Sequence, residues 1–290
     1  MLDAWSRGVR RFVESSAFMD DFYDQTLTKL VQRGILDPGM RILVTCGGTP
    51  DRDVFFRLGF KNVTISNVDS RMKGDEFAPF AWSYQDAENL QFPDGDFDFV
   101  VAHSGLHHCY SPHRALLEMY RVARRAILIF EPRDSFLVRL GVRLSFGQEY
   151  EVAAVVGNSL KFGGVRNTPI PNYVYRWTER EIEKSLATYA PLGRPRVHYF
   201  YALRVPEGRL AALKNRLISA TVRAVLPLLK VFTAVFPKQT NCFAFCAEKL
   251  ELPRDLHPWL EYAEGQPSIR RSWVEDRYRD FTVKNGSAKA

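Results

Sequence analysis

The sequence predicts an α/β fold, a doubly wound and mostly parallel sheet with helices on both faces. Three observations point there. Short apolar runs of the kind that form buried strands alternate with segments of helical spacing. The first such run passes directly into a glycine turn, and the next ends on an acid, Asp69, 21 residues beyond Gly48. The 290 residues, 46% apolar and 25% charged, suffice for one elaborated α/β domain or two average ones, which excludes wholesale disorder, collagen and a disulfide scaffold.

From Phe12 to Arg33 the residues Phe12, Val13, Phe18, Phe22, Leu27, Leu30 and Val31 recur at helical spacing, and Gly34 with Asp37-Pro38-Gly39 ends the run. Residues 1–39 therefore read as a helical N-terminal lid. Arg41–Thr45 reads as a strand buried on both faces and runs into Cys46-Gly47-Gly48-Thr49-Pro50. Asp51–Leu58 forms a helix with Val54, Phe55 and Leu58 inward, stopped by Gly59, and Asn62–Val68 returns as a strand ending at Asp69. The same alternation gives a strand Phe97–His103, a helix Ser111–Val122 and a strand Ala126–Phe130. Thr178 and Glu181 make a capping box for a helix reaching Tyr189, and Arg196–Leu203 and Asn241–Ala247 read as strands. Between them, Pro206–Lys238 is helical in pattern with Pro227 and Pro237 as punctuation, a helical insertion before the last strand. In the C-terminal tail, 251–290, a helix is expected over Ser272–Phe281 and no fixed structure from Lys284 to Ala290.

Cys46, Cys109, Cys242 and Cys246 are too few and too scattered for a stapled secreted fold, and Cys242 and Cys246 lack the second pair of a zinc ribbon. No metal centre and a reducing cytoplasm are the expectations. The start, with an acid at position 3 and no apolar run before Arg10-Arg11, does not read as a signal peptide. A formal charge of +7 suggests an acidic partner, nucleic acid or an anionic membrane. Segment 206–238 carries six bases and one acid, +5 of that +7, beside Leu213, Leu217, Val225, Leu228, Leu229, Phe232 and Phe236. Such a helix suits the surface of an anionic membrane at the inner face, whereas Pro227 and the charges speak against a spanning one. The alternatives are a helix pair packed on the domain or the face of a homodimer. Nucleic acid is disfavoured, because the bases are diluted by aliphatic rather than aromatic side chains and no RNA-binding motif occurs.

In an open parallel sheet ligands bind at the carboxyl ends of the strands, where the winding reverses and the first strand-to-helix turn lets backbone approach them. Gly47 and Gly48 stand in that turn, and Asp69 is spaced to accept hydrogen bonds from ribose hydroxyls. The plain structural alternatives are a tight turn at Gly47-Gly48, a cap at Asp69, and a cap at Asp86 for a turn through Asn89. The stretch from Asp86 to Asp98, with Asp86-Ala87-Glu88-Asn89-Leu90 ahead of Pro93 and Phe97-Asp98, resembles class I S-adenosylmethionine-dependent methyltransferases, in particular their small-molecule branch. The resemblance runs on through His103-Ser104-Gly105-Leu106-His107-His108, Pro112, Leu116, Glu118, Arg121-Val122 and Glu131-Pro132. It covers roughly 40–130 well and 175–250 more loosely. It implies a seven-stranded Rossmann-like sheet and S-adenosylmethionine as cofactor, with S-adenosylhomocysteine as product. It also implies that Cys46, Gly47 and Gly48 lie under the methionine part, that Asp69 holds the ribose, and that Asp86 and Ala87 flank the adenine. The first motif departs from the family: Val44 stands at the usual acid, Cys46 at the first glycine and Pro50 at the third.

Methyl transfer from a sulfonium depends mainly on holding nucleophile and methyl in line, with a base needed when the acceptor is a hydroxyl or a protonated amine. His107 and His108, just past a strand end, and Glu131, at the end of the next strand, are the base candidates, and His103 is a cofactor contact or a satisfied strand-end histidine. The Asp-Pro-Pro-Tyr motif of base N-methylation is absent. Segment 135–177 mixes Gln148-Glu149-Tyr150-Glu151, Phe162-Gly163-Gly164 and Asn172–Trp177, polar groups beside aromatic rings, which suits a polyhydroxyl acceptor or merely caps the sheet. The expected reaction is O-methylation of a glycan, glycolipid or small metabolite. The alternatives are a binding or scaffold protein of methyltransferase shape without turnover, and an RNA methyltransferase.

Overall fold

The computed structural model describes residues 21–205 and 216–286. A helix over 21–32, α1, leads into β1 (Arg41–Thr45), α2 (Thr49–Arg57), β2 (Asn62–Asn67), β3 (Ala81–Tyr84) and β4 (Phe97–His103). There follow α3 (Pro112–Val122), β5 (Ala123–Pro132), α4 (Phe136–Arg143), α5 (Val152–Gly157), α6 (Glu179–Tyr189) and β6 (Val197–Ala202). The chain continues through α7 (Arg216–Val235) and β7 (Cys242–Glu248) to a hairpin of β8 (Leu260–Ala263) and β9 (Gln266–Ile269), and then α8 (Arg271–Gly286).

Seven strands make one sheet in the order β3-β2-β1-β4-β5-β7-β6, all parallel except β7, which runs antiparallel to both neighbours. This is the doubly wound, mostly parallel sheet that the alternation predicts. Winding reverses between β1, which pairs with β2 on one side, and β4 on the other, so the carboxyl ends of β1, β2, β4 and β5 share one edge. Alternate residues of the apolar strands serve opposite faces. Ile42, Val44, Phe99, Val101, Leu128 and Phe130 pack with Tyr23, Leu27 and Leu30 of α1, whereas Leu43, Val100, Ala102, Ile127 and Ile129 pack with α3, Trp177 and α6. The central stretches Ile42–Val44, Phe99–Ala102 and Ala126–Phe130 are therefore apolar throughout rather than alternating, as strands buried on both faces must be.

Local signals set the helix starts. Asp51 accepts the Gly48 N–H at 2.8 Å and the Tyr23 hydroxyl at 3.1 Å, which ties the glycine turn to α1. Ser111 accepts the Arg114 N–H ahead of Pro112 in the first turn of α3, and the Thr178–Glu181 capping box forms as expected. α1, whose sequence suggests a lid, places Tyr23, Leu27 and Leu30 in the core; the rest of the expected helix, 12–20, lies outside the described residues.

β5 is longer than the apolar run Ala126–Phe130, because β4 and β7 hold it from both sides, and Glu131 pairs with Phe243 inside the sheet. The edge strand β3, only four residues, and the β8–β9 hairpin were not foreseen. The hairpin turns at Glu264-Gly265, both with positive φ. α8 extends past the expected end at Phe281 and overturns the expectation of no fixed structure as far as Gly286, the first glycine in that stretch. α7 passes through Pro227, which is exposed, so that water can take the carbonyl left without its N–H. Residues 206–215 of the expected insertion lie outside the described residues, among which no helix is long and apolar enough to cross a membrane.

Candidate active site

The shared carboxyl edge has two halves. At the first, Gly47 donates its N–H to Ser66 and accepts from the Asn67 amide. A Cβ at Gly47 would stand 2.8 Å from Ile65 and 3.0 Å from Val44, so the glycine is demanded by packing where β1 leaves β2. Cys46 adopts a left-handed backbone (φ +53°), and a Cβ on Gly105 would lie 2.4 Å from its own Cβ, so the loops after β1 and β4 are pressed together at Cys46.

Asp69 is occupied on both oxygens. Arg71 donates Nε at 2.8 Å, Nη2 at 2.7 Å and its backbone N–H at 3.0 Å, and the Asn167 amide donates at 2.6 Å. Arg71 and Asn167 hold this carboxyl below the usual aspartate range. Asp86 accepts Arg166 Nη1 at 2.6 Å on one oxygen and the Glu88 N–H at 3.0 Å on the other, while Asn89 closes a turn onto the Asp86 carbonyl. Ala87 is buried beneath. Both aspartates thus perform the local capping expected as the alternative, and each also reaches across to the turn 163–168. In that turn Gly163, Arg166 and Asn167 all have positive φ, at +98°, +48° and +58°.

At the second half, Glu131 is 3% exposed and accepts the Leu106 N–H at 2.8 Å on one oxygen and His107 Nδ1 at 2.6 Å on the other. Burial alone would lower the pKa of His107, but Glu131 and Glu151 together push it up to about 10. Glu151 would be raised by burial, yet the two histidines and Asn172 carry it down to about 2. His108 is lowered by burial and by the charge of His107; its Nδ1 lies 3.2 Å from the Gly164 carbonyl. Asn172 donates to the His107 carbonyl at 3.1 Å and to Glu151 at 3.4 Å. The structure therefore brings His107, His108 and Glu131 together. His103 stands apart: its ring stacks on Tyr23 at 4.5 Å, its Nε2 has no hydrogen-bond partner, and burial pushes its pKa down to about 4.

Sequence reasoning placed Glu151, Gly164 and Asn172 only in a segment suited to a polyhydroxyl acceptor or a cap and did not single out Arg166 and Asn167, yet these five complete both halves. The polar run around Glu151, set among aromatic rings, was the available signal.

The donor chemistry at the first half fits a nucleoside cofactor. Two carboxylates stand beyond β2 and β3, and their outer partners are N–H groups from a separate turn, donors of the kind that ribose hydroxyls and an adenine amino group would present. Residues 44–130 match the family described as a methyltransferase domain. No curated protein matches the chain. Among solved structures, magnesium protoporphyrin IX methyltransferase from Synechocystis, with bound S-adenosylhomocysteine, is 14% identical, covering 86% of this chain and 95% of its own at a TM-score of 0.48. An S-adenosylmethionine-dependent methyltransferase from Thermotoga maritima is 16% identical, covering 86% and 100% at a TM-score of 0.47. The [4+2]-cyclase SpnF is 17% identical, covering 78% and 80% at a TM-score of 0.46. Over 44–130 the chain is thus similar to a methyltransferase domain, and the strand order β3-β2-β1-β4-β5-β7-β6 places that stretch at the core of a doubly wound sheet.

Proposed function

We propose that this protein moves the methyl group of S-adenosylmethionine to a hydroxyl of a small metabolite, glycan or glycolipid held over His107, His108 and Glu151. The observation that carries the reading is the convergence of His107 Nε2, His108 Nε2 and a Glu151 oxygen within 4.8 Å of one another at the edge where β4 and β5 end. A hydroxyl is the nucleophile that needs such a place, since it must give up a proton as it attacks. When bound, the cofactor supplies a methyl already activated on a sulfonium. Asp69 would hold its ribose and Asp86 its adenine, with Gly47 and Gly48 beneath the methionine part, and for that Asn167 and Arg166 must release the two carboxylates. Glu131 fixes the His107 ring through Nδ1, the Gly164 carbonyl fixes His108 through its own Nδ1, and the His108 Nε2 is left to receive the acceptor's proton. Tyr150 and Tyr173, in edge contact at 5.5 Å and both exposed, offer ring surface to a sugar face beside Glu151.

Conversion of S-adenosylmethionine to S-adenosylhomocysteine on incubation with glycan and lipid extracts, with a 14 Da gain on one acceptor, is the expected result. His108→Ala should slow it by about 10²-fold. An unchanged rate in His108→Ala would remove the histidine from the reaction, and failure to bind S-adenosylmethionine at all would leave a binding or scaffold protein.

A lipid-linked acceptor is favoured by α7. Val225, Leu228, Val231, Phe232, Val235 and Phe236 are exposed on it and beside it, together with Arg223, Lys230 and Lys238. This pattern suits the headgroup layer of an anionic bilayer. Flotation with anionic vesicles should be lost when Arg223 and Lys230 are made neutral; equal flotation, or a dimer in its place, would overturn the membrane contact.

A further inference from the structure

We propose that His107, His108 and Glu151 form a binding site for a divalent transition-metal ion of the zinc type. The argument begins with hydrogen positions. The Glu131 carboxylate and the Gly164 carbonyl are acceptors only, so the Nδ1 atoms facing them at 2.6 and 3.2 Å carry the hydrogens. Metal binding replaces the second proton of His107, and each ring then presents a lone pair at Nε2 toward the same Glu151 oxygen, which lies 3.4 Å from the His107 Nε2 and 3.5 Å from the His108 Nε2. Two imidazole nitrogens and a carboxylate oxygen gathered at one point hold a cation between them, either the proton of His107 or a metal ion that takes its place. Ligands about 2.1 Å from a tetrahedral centre stand about 3.4 Å apart, so the two measured spacings are those of a zinc-type coordination edge.

The surroundings agree. A ligating imidazole that gives its other N–H to a carboxylate is the usual second layer of such a site, and Glu131 supplies it for His107. Glu131 is itself anchored by the Leu106 N–H. Asn172 is 1% exposed and donates to both His107 and Glu151, while its Oδ1 is buried without a partner beside the cluster, an acceptor waiting for a donor such as a metal-bound water. Two histidines and one glutamate leave a fourth position open, the arrangement of zinc sites that bind a substrate or water. With the proposed reaction, that open position would take the acceptor's hydroxyl oxygen and lower its pKa so that its proton leaves to water, His108 Nε2 serving as the base only in the metal-free protein. Metal binding itself does not depend on that reading.

The full chain, stripped with chelator, is loaded with Zn²⁺ or Co²⁺ and dialysed. Retention of one equivalent of zinc is expected, with a four-coordinate cobalt visible absorption band. Glu151→Gln and His108→Ala should each weaken retention by about 10²-fold, whereas His257→Ala, far along the chain, should not. Wild type that holds no more metal than the variants, or shows no cobalt band, overturns the site and leaves a proton on His107 as the occupant. Should the variants fail to fold, nitrogen-15 spectra of the wild-type histidines decide: zinc must shift the Nε2 of both. Methyl transfer that persists in chelator would overturn only the metal's part in catalysis, and metal retention without transfer would overturn only the reaction.

Discussion

The two halves of the carboxyl edge are built from the same kinds of loop yet end in opposite electrostatic states. Beyond β2 and β3, Asp69 and Asp86 are saturated with donors from Arg71, Arg166 and Asn167. Beyond β4 and β5, the Nε2 atoms of His107 and His108 converge on one Glu151 oxygen, with Asn172 the one side-chain amide donating among them. One turn, 163–168, serves both: Asn167 and Arg166 close the first half, and the Gly164 carbonyl sets the hydrogen position of His108 in the second. The comparison teaches that a saturated carboxylate must exchange partners to take a ligand, whereas a converging set of lone pairs is poised for a cation or an acidic hydrogen. It also links the halves, because on the proposed reading a cofactor that displaced Arg166 and Asn167 would shift the Gly164 carbonyl that holds His108.

Breaking the second half at its base should have the largest effect. Glu131→Ala removes the partner of His107 and strands the Leu106 N–H in the core, so a loss of about 3–5 kcal/mol in urea unfolding is expected. A loss below about 1 kcal/mol would mean that water replaces the carboxylate, and the cluster would not be the rigid device described.

His103, at the end of β4, tests how dry this edge is. Its folded pKa of about 4 lies below its ordinary value near 6.5, owing to burial, to the positive charge of Arg204 and to His107, with the Tyr23 ring stacked against it. The neutral ring is the one that folds, so the unfolded chain binds more protons between those two pH values. Stability should therefore fall as pH drops from about 6.5 to 4, by about 3 kcal/mol from this group, and level off below. His103→Phe should flatten that limb in denaturation curves taken across the range. A limb of the same depth in the variant would assign the acid sensitivity elsewhere.

The smallest effect sharpens the first half. Asn167→Ala removes one hydrogen bond from the carboxylate proposed to hold the cofactor's ribose, so S-adenosylmethionine should bind more tightly, by about 1 kcal/mol or some five- to tenfold in calorimetry. Weaker binding would show that Asn167 serves the cofactor instead of standing in for it, and the contrast between the halves would fail.

Much of this was legible in the chain. Runs such as Ile42–Val44 and Phe99–Ala102 are apolar throughout because both faces are covered, and that property survives in one dimension. Asp69, Asp86, His107, His108 and Glu131 were found because each sits within a few residues of a strand end, where spacing reports position. Glu151 and Asn172 lie in a long connection without periodicity, and only their approach to His107 gives them a role. β3 escaped notice as a four-residue edge strand whose residues are half-buried or exposed, with no apolar run to mark it.

The sequence by itself determined the alternation of elements, the edge on which the chemistry gathers and the residue types available there, because periodicity and capping act within a dozen residues. Tertiary structure alone decided the partners. Asn167 stands 98 residues from Asp69 and Arg166 stands 80 from Asp86, and a hydrogen bond across such a gap depends on the path of the intervening chain. Whether an aspartate is free or saturated, and whether two imidazoles face a carboxylate or water, is settled by distances of a few ångströms that only packing sets.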